Sequence, residues 1–225
     1  MEEVHTTVPQ CIGFIMDGNR RWAHARGLSA AEGHAAGYEA FKRCLTWGRD
    51  RRVAHLAFYA FSSENWCRDA TEVSVLLSLL AHALDELVPE ATRLRVIGDR
   101  TALPEDLRTR IEAVEFDTVD ESDLTIWIAL SYGGRGELVR AANAAVAGGE
   151  PVTEAGFATL LDTAEMPDPD VVVRTGGEQR LSNFLLWQSA YSELYFTHTY
   201  WPDMTESDFD AILSWYETRH RRFGS

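Results

Sequence analysis

The chain has 225 residues, with 21 basic and 35 acidic side chains and a net charge of −14. Hydrophobic residues make up 45% and charged residues 25%, a globular composition long enough for one domain with a full core and unlike that of a disordered chain. The acidity weighs against a nucleic-acid or anionic-lipid binder, which carries a basic face, and obliges any anionic substrate to find its arginines gathered in one place.

Residues 1–9 are polar and acidic, not a signal peptide, and read as a flexible lead into a single domain covering 1–225. The first buried strand is expected at Cys11–Asp17, followed by a helix over Gly33–Arg49 and a strand over Val53–Phe61. Val73, Leu76, Leu77, Leu80, Leu84 and Leu87 then repeat at helical spacing. A strand at Leu94–Asp99, a helix at Pro104–Phe116 and a strand at Leu124–Tyr132 come next, then helices at Gly134–Ala147 and Thr153–Leu161. The fifth strand is expected at Val171–Gly176, and Glu193–Trp201 reads as a loop with a short strand. Phe209, Ile212, Leu213 and Tyr216 form a last helix behind the capping-box start Thr205-x-x-Asp208. The strands are apolar throughout rather than alternating, so the fold class is α/β: a central, mostly parallel sheet with helices on both faces.

Cys11, Cys44 and Cys67 are sparse and odd in number, which fits reduced thiols in a cytoplasmic protein rather than a disulfide framework or zinc site. No apolar run approaches the roughly 20 residues that span a bilayer, so no stable membrane insertion is expected.

Ligands of open α/β sheets bind beyond the carboxyl ends of the strands. The first strand runs into MDGNRRW (Met16–Trp22), the second into FSSENWCR (Phe61–Arg68) and the fifth into RTGGEQRLSNF (Arg174–Phe184). Singly each is an ordinary turn; together they put arginines, Gly-rich backbone and hydroxyls where diphosphate oxygens need them. Asp17 stands where Mg²⁺ could bridge a carboxylate to those oxygens. The chain carries no P-loop, no GxGxxG opening a helix, no GxSxG and no DDxxD pair. The acids Asp117, Asp120, Glu121 and Asp123 fall between a helix and a strand, away from that edge, and read as a solvated loop.

These motifs, with GHAAG (Gly33–Gly37), SYGGR (Ser131–Arg135) and the terminal RRFG, make the chain similar to the cis-prenyltransferases, the undecaprenyl diphosphate synthase family, from about Ile12 to Gly224. The resemblance implies a homodimer of one α/β domain with an apolar tunnel, dependence on Mg²⁺ and condensation of isoprenoid diphosphates such as dimethylallyl and isopentenyl diphosphate. It implies that Asp17 and Asn65 are catalytic and that Gly18, Asn19, Arg20, Arg21, Trp22 and His34 form the allylic diphosphate site. By the same resemblance Phe61, Ser62, Ser63, Glu64, Trp66 and Arg68 lie in and beside a loop over the reacting carbons. Arg174, Arg180 and Ser182 would hold the second diphosphate, Glu193 would complete the metal site, and Arg221, Arg222 and Gly224 resemble a tail that reaches the partner subunit. The other histidines (His5, His24, His55, His82, His198 and His220) read as surface or packing residues.

Three departures shape the expected product. The family usually carries an arginine four residues before the histidine, and here that position is Ala30. The segment Glu72–Asp99 is short, and the chain is compact. These favour a short product made by irregular joining of two dimethylallyl diphosphates, of the lavandulyl or cyclolavandulyl type. Regular cis-elongation with isopentenyl diphosphate, to a short, medium or undecaprenyl length, is the alternative. A non-catalytic accessory subunit is a further one, opposed by the presence of Asp17, Arg174, Arg180 and Glu193.

Overall fold

The apolar runs become parallel strands because both of their faces are covered. The computed structural model describes residues 8–86, 92–118, 120, 123–149 and 151–219. In chain order the elements are β1 (Cys11–Ile15), α1 (Asn19–His24), α2 (Ala30–Asp50), β2 (His55–Ser62), a 3-10 turn at Ser63–Cys67 and α3 (Ala70–Glu86). They continue with β3 (Thr92–Ile97), α4 (Glu105–Asp117), β4 (Leu124–Tyr132), α5 (Gly134–Gly148) and α6 (Glu154–Ala158). The last are β5 (Val171–Arg174), β6 (Glu193–Phe196), a 3-10 turn at Trp201–Asp203 and α7 (Glu206–Glu217). All pairings are parallel, and the sheet order is β3-β4-β2-β1-β5-β6.

Side chains alternate across the pleat with period two. Ile12 and Phe14, Leu124 through Leu130 in even steps, and Val171 and Val173 join one core with residues of α2, α3, α4 and α7. Ile15, Trp127, Ala129 and Val172 face the other way and pack with Met166, Phe184 and Leu185. On that second face the buried carboxylate of Glu137 in α5 accepts from the Tyr132 hydroxyl at 2.5 Å, the Thr163 hydroxyl at 3.0 Å and the Gln188 amide at 3.0 Å.

The expected elements appear, with informative differences. Glu193–Phe196 is a true strand, parallel to β5. The six-residue α1 has too little apolar periodicity to announce itself. α6 is shorter than expected, and the fifth strand ends at Arg174, before the two glycines. The acids Asp117 and Asp123 flank the loop entering β4, at the amino-terminal edge of the sheet, as expected of a solvated loop. The flexible lead does not extend through residue 9: Val8 packs against the core and Pro9 is buried, while residues 1–7 lie outside the described chain. Among the described residues no helix is long and apolar enough to cross a membrane.

The topology also places the site. β1 is flanked by β2 on one side and β5 on the other, so the crossovers diverge there, and the crevice at such a switch point binds ligands. At the heart of the larger core the Phe14 ring lies 5.4 Å from Phe58, 5.8 Å from Trp201 and 6.2 Å from Phe209. Phe14→Ala is expected to destabilise the fold by about 3–5 kcal/mol, read as a lowered urea midpoint with an unchanged slope.

Candidate active site

Beyond β1 the backbone must turn sharply into α1, and Gly18 does this with φ +112°. A Cβ there would meet the Tyr200 ring at 2.7 Å. The turn exposes Asp17, whose two carboxylate oxygens take different partners. Oδ2 accepts from Arg174 Nη2 at 2.9 Å, and Oδ1 pairs with Arg21 at 3.2 Å. The Asp17 carbonyl accepts from the Thr175 hydroxyl at 2.7 Å, which pins the turn to the end of β5. The Arg174 side chain is only 6% exposed, so its charge needs these anionic and polar partners.

The same guanidinium builds a second cradle. Arg174 Nη1 donates to the Arg180 carbonyl and to Ser182 Oγ, both at 2.7 Å. The chain between them reverses at Gly176 and Gly177, with φ of +83° and +84°. Arg180 is exposed and ion-paired with Glu178, which also reaches Arg21 at 3.9 Å. One carboxylate therefore stands between the cations of the two cradles.

On the other side of Asp17 a cleft is lined by Gly18, Asn19, Arg20, Arg21, His24, Ala30, His34, Arg68 and Tyr200. It meets an apolar cleft between α2, α3 and the sheet, and the two share Met16, Asn19 and His34. The walls of the apolar part include Phe41, Phe58, Leu76, Leu80 and Trp201. The GHAAG glycines explain how α2 comes so close. A Cβ on Gly33 would lie 2.4 Å from the Asn19 carbonyl, and one on Gly37 2.6 Å from Asn19 Oδ1. At the junction of the clefts Glu72 of α3 gathers two arginines and a histidine: Arg68 at 2.8 Å, Arg20 at 3.7 Å and His34 at 3.8 Å. Burial outweighs the nearby Glu72 charge and holds the His34 imidazole below its ordinary pKa, so the ring is neutral at neutral pH. Ala30, the first residue of α2, brings no charge to the rim.

After β2 the register slips against β4 at Phe61 and again at Ser62, a bulge that re-aims the strand end. The following 3-10 turn is capped by Asn65, whose Oδ1 accepts the Ser62 N–H at 3.0 Å. Trp66 donates to Ser131 Oγ at 2.9 Å, and its ring meets Phe61 edge-on at 4.9 Å.

Asp17, Gly18, Asn19, Arg20, Arg21, His34 and Arg68 are thus brought together in one cleft. Arg174, Arg180 and Ser182 form the adjoining cradle; Ser62 and Glu64 line a cleft with Ser182, and Ser63, Asn65 and Trp66 belong to the same turn as Glu64. Three expectations need correction. Phe61 is fully buried, packs in the core behind Trp66 and lines neither cleft. Trp22 turns away: its indole donates to Asp203 at 2.6 Å, with Arg26 stacked 4.4 Å above the ring. Glu193 does not join Asp17. It pairs in register with Val171, at the amino end of β6, whereas Arg174 pairs with both Ile15 and Phe196. That leaves Glu193 three strand residues, roughly 10 Å, behind the end of β1, where its carboxylate accepts from Arg219 at 3.1 Å. Arg221, Arg222 and Gly224 lie outside the described residues.

Sequence reasoning missed Tyr200, Glu178, Glu72 and the place of His24 in the cleft wall. Glu72 carries a readable signal, four residues after Arg68 at the start of a helix. Tyr200 carries none, since it arrives from the far end of the chain.

A family model described as "Putative undecaprenyl diphosphate synthase" matches residues 15–224. The chain is 44% identical to an isoprenyl transferase of Agrobacterium fabrum, over 98% of this chain and 94% of the relative. It is 42% identical, over 96% of both proteins, to a ditrans,polycis-undecaprenyl-diphosphate synthase ((2E,6E)-farnesyl-diphosphate specific) of Legionella pneumophila strain Paris. Among solved structures it is similar to lavandulyl diphosphate synthase from Lavandula x intermedia in complex with dimethylallyl diphosphate. That likeness has a TM-score of 0.93 at 33% identity and covers 97% of this chain and 99% of the other.

Two measurements probe the geometry. Arg174→Lys keeps the charge but cannot span Asp17 and Ser182 together, so turnover is expected to fall at least about 100-fold, equivalent to roughly 2.7 kcal/mol, with the melting temperature little changed. His34 is expected to titrate below 6.5 in a carbon-13 NMR pH series, and further below in Glu72→Gln, which removes the charge favouring the imidazolium. The unfolded chain binds the proton more readily, so this histidine's contribution to stability falls as pH drops below 6.5 and levels off below its folded pKa.

Proposed function

Because the chain belongs to the undecaprenyl diphosphate synthase family of prenyl transferases, we propose that it extends an allylic diphosphate with isopentenyl diphosphate by regular cis condensation. The observation that carries this reading is the doubly engaged guanidinium of Arg174. One buried cation holds Asp17 on one side and Ser182 on the other, so two anion sites meet where two diphosphate substrates must react. The higher identity to the Legionella protein, 42% against 33% to the lavandulyl diphosphate synthase, supports regular over irregular chemistry.

In this reading the allylic diphosphate lies against the first turn of α1, whose N–H groups have no intrahelical partners. Arg20, Arg21 and Arg68 face it and stabilise the charge that builds as the carbon–oxygen bond breaks. The hydrocarbon runs past His34, neutral and half-buried, into the cleft walled by Phe41, Phe58, Leu76 and Leu80. Arg174, Arg180 and Ser182 hold the second diphosphate. Trp66, tethered to Ser131, presents an aromatic face near the developing carbocation. Asn65 acts through its amide N–H groups, because its oxygen is engaged at Ser62. The apolar cleft keeps water from quenching the cation.

Mg²⁺ suits this donor set, since it binds through one or two carboxylates and completes its shell with water and phosphate oxygens. Asp17 would hold it, and among the described residues no group of three His, Cys, Asp or Glu side chains competes as a protein cage. When bound, the ion neutralises charge on the leaving diphosphate. The enzyme works as a homodimer in this reading, a role consistent with the exposed Tyr191 and Leu194 at the open β6 edge.

Irregular joining of two dimethylallyl diphosphates remains the second reading, and the uncharged Ala30 at the cleft rim favours it. Incubation with dimethylallyl or farnesyl diphosphate, with and without isopentenyl diphosphate, separates the two by mass spectrometry of the dephosphorylated products. The regular reading expects products only when isopentenyl diphosphate is present; a ten-carbon product from dimethylallyl diphosphate alone establishes the irregular one. Asp17→Ala is expected to abolish diphosphate release while leaving the circular dichroism spectrum unchanged, and near-normal turnover would sink both readings.

A further inference from the structure

The segment that carries Ser182 has an unusual backbone. Ser182, Asn183 and Leu185 adopt positive φ of 48°, 68° and 43°, a left-handed region that only asparagine among the three visits readily. Such strain persists only where the surroundings over-determine it. The buried rings and methyls of Phe184 and Leu185 hold the far side of the segment. Asn183 holds the near side with three hydrogen bonds to two other parts of the chain. Its carbonyl accepts the Gly134 N–H at 2.7 Å, its Oδ1 accepts the Arg135 N–H at 2.8 Å, and its Nδ2 donates to Glu64 Oε1 at 2.9 Å.

Two further observations show that the arrangement is built. The N-cap residue of α5 is Gly133, which has no side chain to cap with. Asn183 caps that helix instead, from 48 positions away. A Cβ on Gly133 would lie 2.6 Å from both Asn183 Nδ2 and Ser63 Oγ, so the glycine leaves room for the Asn183–Glu64 contact. Glu64 belongs to the turn after β2, and the hydrogen bond from Asn183 is foremost among the contacts that outweigh its desolvation and hold its carboxyl below the ordinary value.

We propose that Asn183 is a positioning residue for the second substrate: it locks Ser182 toward Arg174 and ties that cradle to Glu64, so that the Ser63–Cys67 turn and the second diphosphate site set together. The proposal rests on reading Arg174, Arg180 and Ser182 as the isopentenyl diphosphate cradle.

Asn183→Asp tests it without removing the helix cap, because the aspartate oxygen still faces the Arg135 N–H. It places a second carboxylate against Glu64. The expected result is a rise of at least tenfold in KM for isopentenyl diphosphate, with KM for the allylic substrate within twofold and the melting temperature within a few degrees. In a Glu64→Gln background, where the glutamine amide can donate to the new aspartate, the same substitution is expected to raise that KM less than threefold. Amide hydrogen exchange reads the coupling without turnover: Asn183→Asp is expected to speed exchange in both 182–185 and 63–67, and Glu64→Gln/Asn183→Asp to restore it. An unchanged KM, an equal rise for both substrates, an undiminished effect in the Glu64→Gln background, or unaltered exchange in 63–67 overturns the proposal. Calorimetric titration of the unsubstituted protein with isopentenyl diphosphate tests the cradle itself; absent binding there, with exchange behaving as expected, refutes the substrate assignment and leaves the coupling standing.

Discussion

The pairing of Arg174 with Asp17 is the constraint around which this molecule is arranged. A guanidinium this deeply buried needs polar partners, and its two terminal nitrogens find them in two directions at once, while Nε has none among the described residues. One nitrogen faces the carboxylate at the end of β1, and the other faces the carbonyl of Arg180 and the hydroxyl of Ser182. The partners meet because β1 and β5 are neighbours in register, with Ile15 opposite Arg174. Sheet order, register and chemistry are therefore one fact seen at three scales.

Charge is balanced locally around that pair. Arg21 shares Asp17 with Arg174, Glu178 stands between Arg21 and Arg180, and Glu72 gathers Arg20, His34 and Arg68. Each carboxylate keeps cations oriented before an anionic ligand arrives, which limits the reorganisation that a charged transition state demands. The net charge of −14 coexists with such a site because like charges more than a Debye length apart are largely screened at the surface, while the arginines act at contact distance.

Much of this was legible in the chain itself. Continuous apolar runs announced a buried parallel sheet, and their carboxyl ends pointed to Asp17, the two arginines after it, and Arg174 through Ser182. The errors share a cause. Trp22 follows the arginines in sequence, but half a turn of α1 carries its indole to Asp203. Phe61 precedes the loop yet faces the core, because register slips on either side of it, after Tyr59 and before Ser62, break the strand's alternation there. Glu193 has the right chemistry at the wrong end of its strand.

By itself, then, the sequence determined the periodicities that make strands and helices, the residue types able to hold two diphosphates, and the glycines where the chain must turn or approach closely. Those are local properties, set by backbone sterics and hydrophobic pattern. Tertiary structure alone decided that Tyr200 would close over Gly18, that Glu72 would collect Arg20, His34 and Arg68 from three segments, and that Asn183 would cap α5 from 48 residues away. Such contacts depend on distances between elements far apart in the chain. No local pattern encodes them, because they are fixed only when the sheet order and the helix packing have brought those elements together.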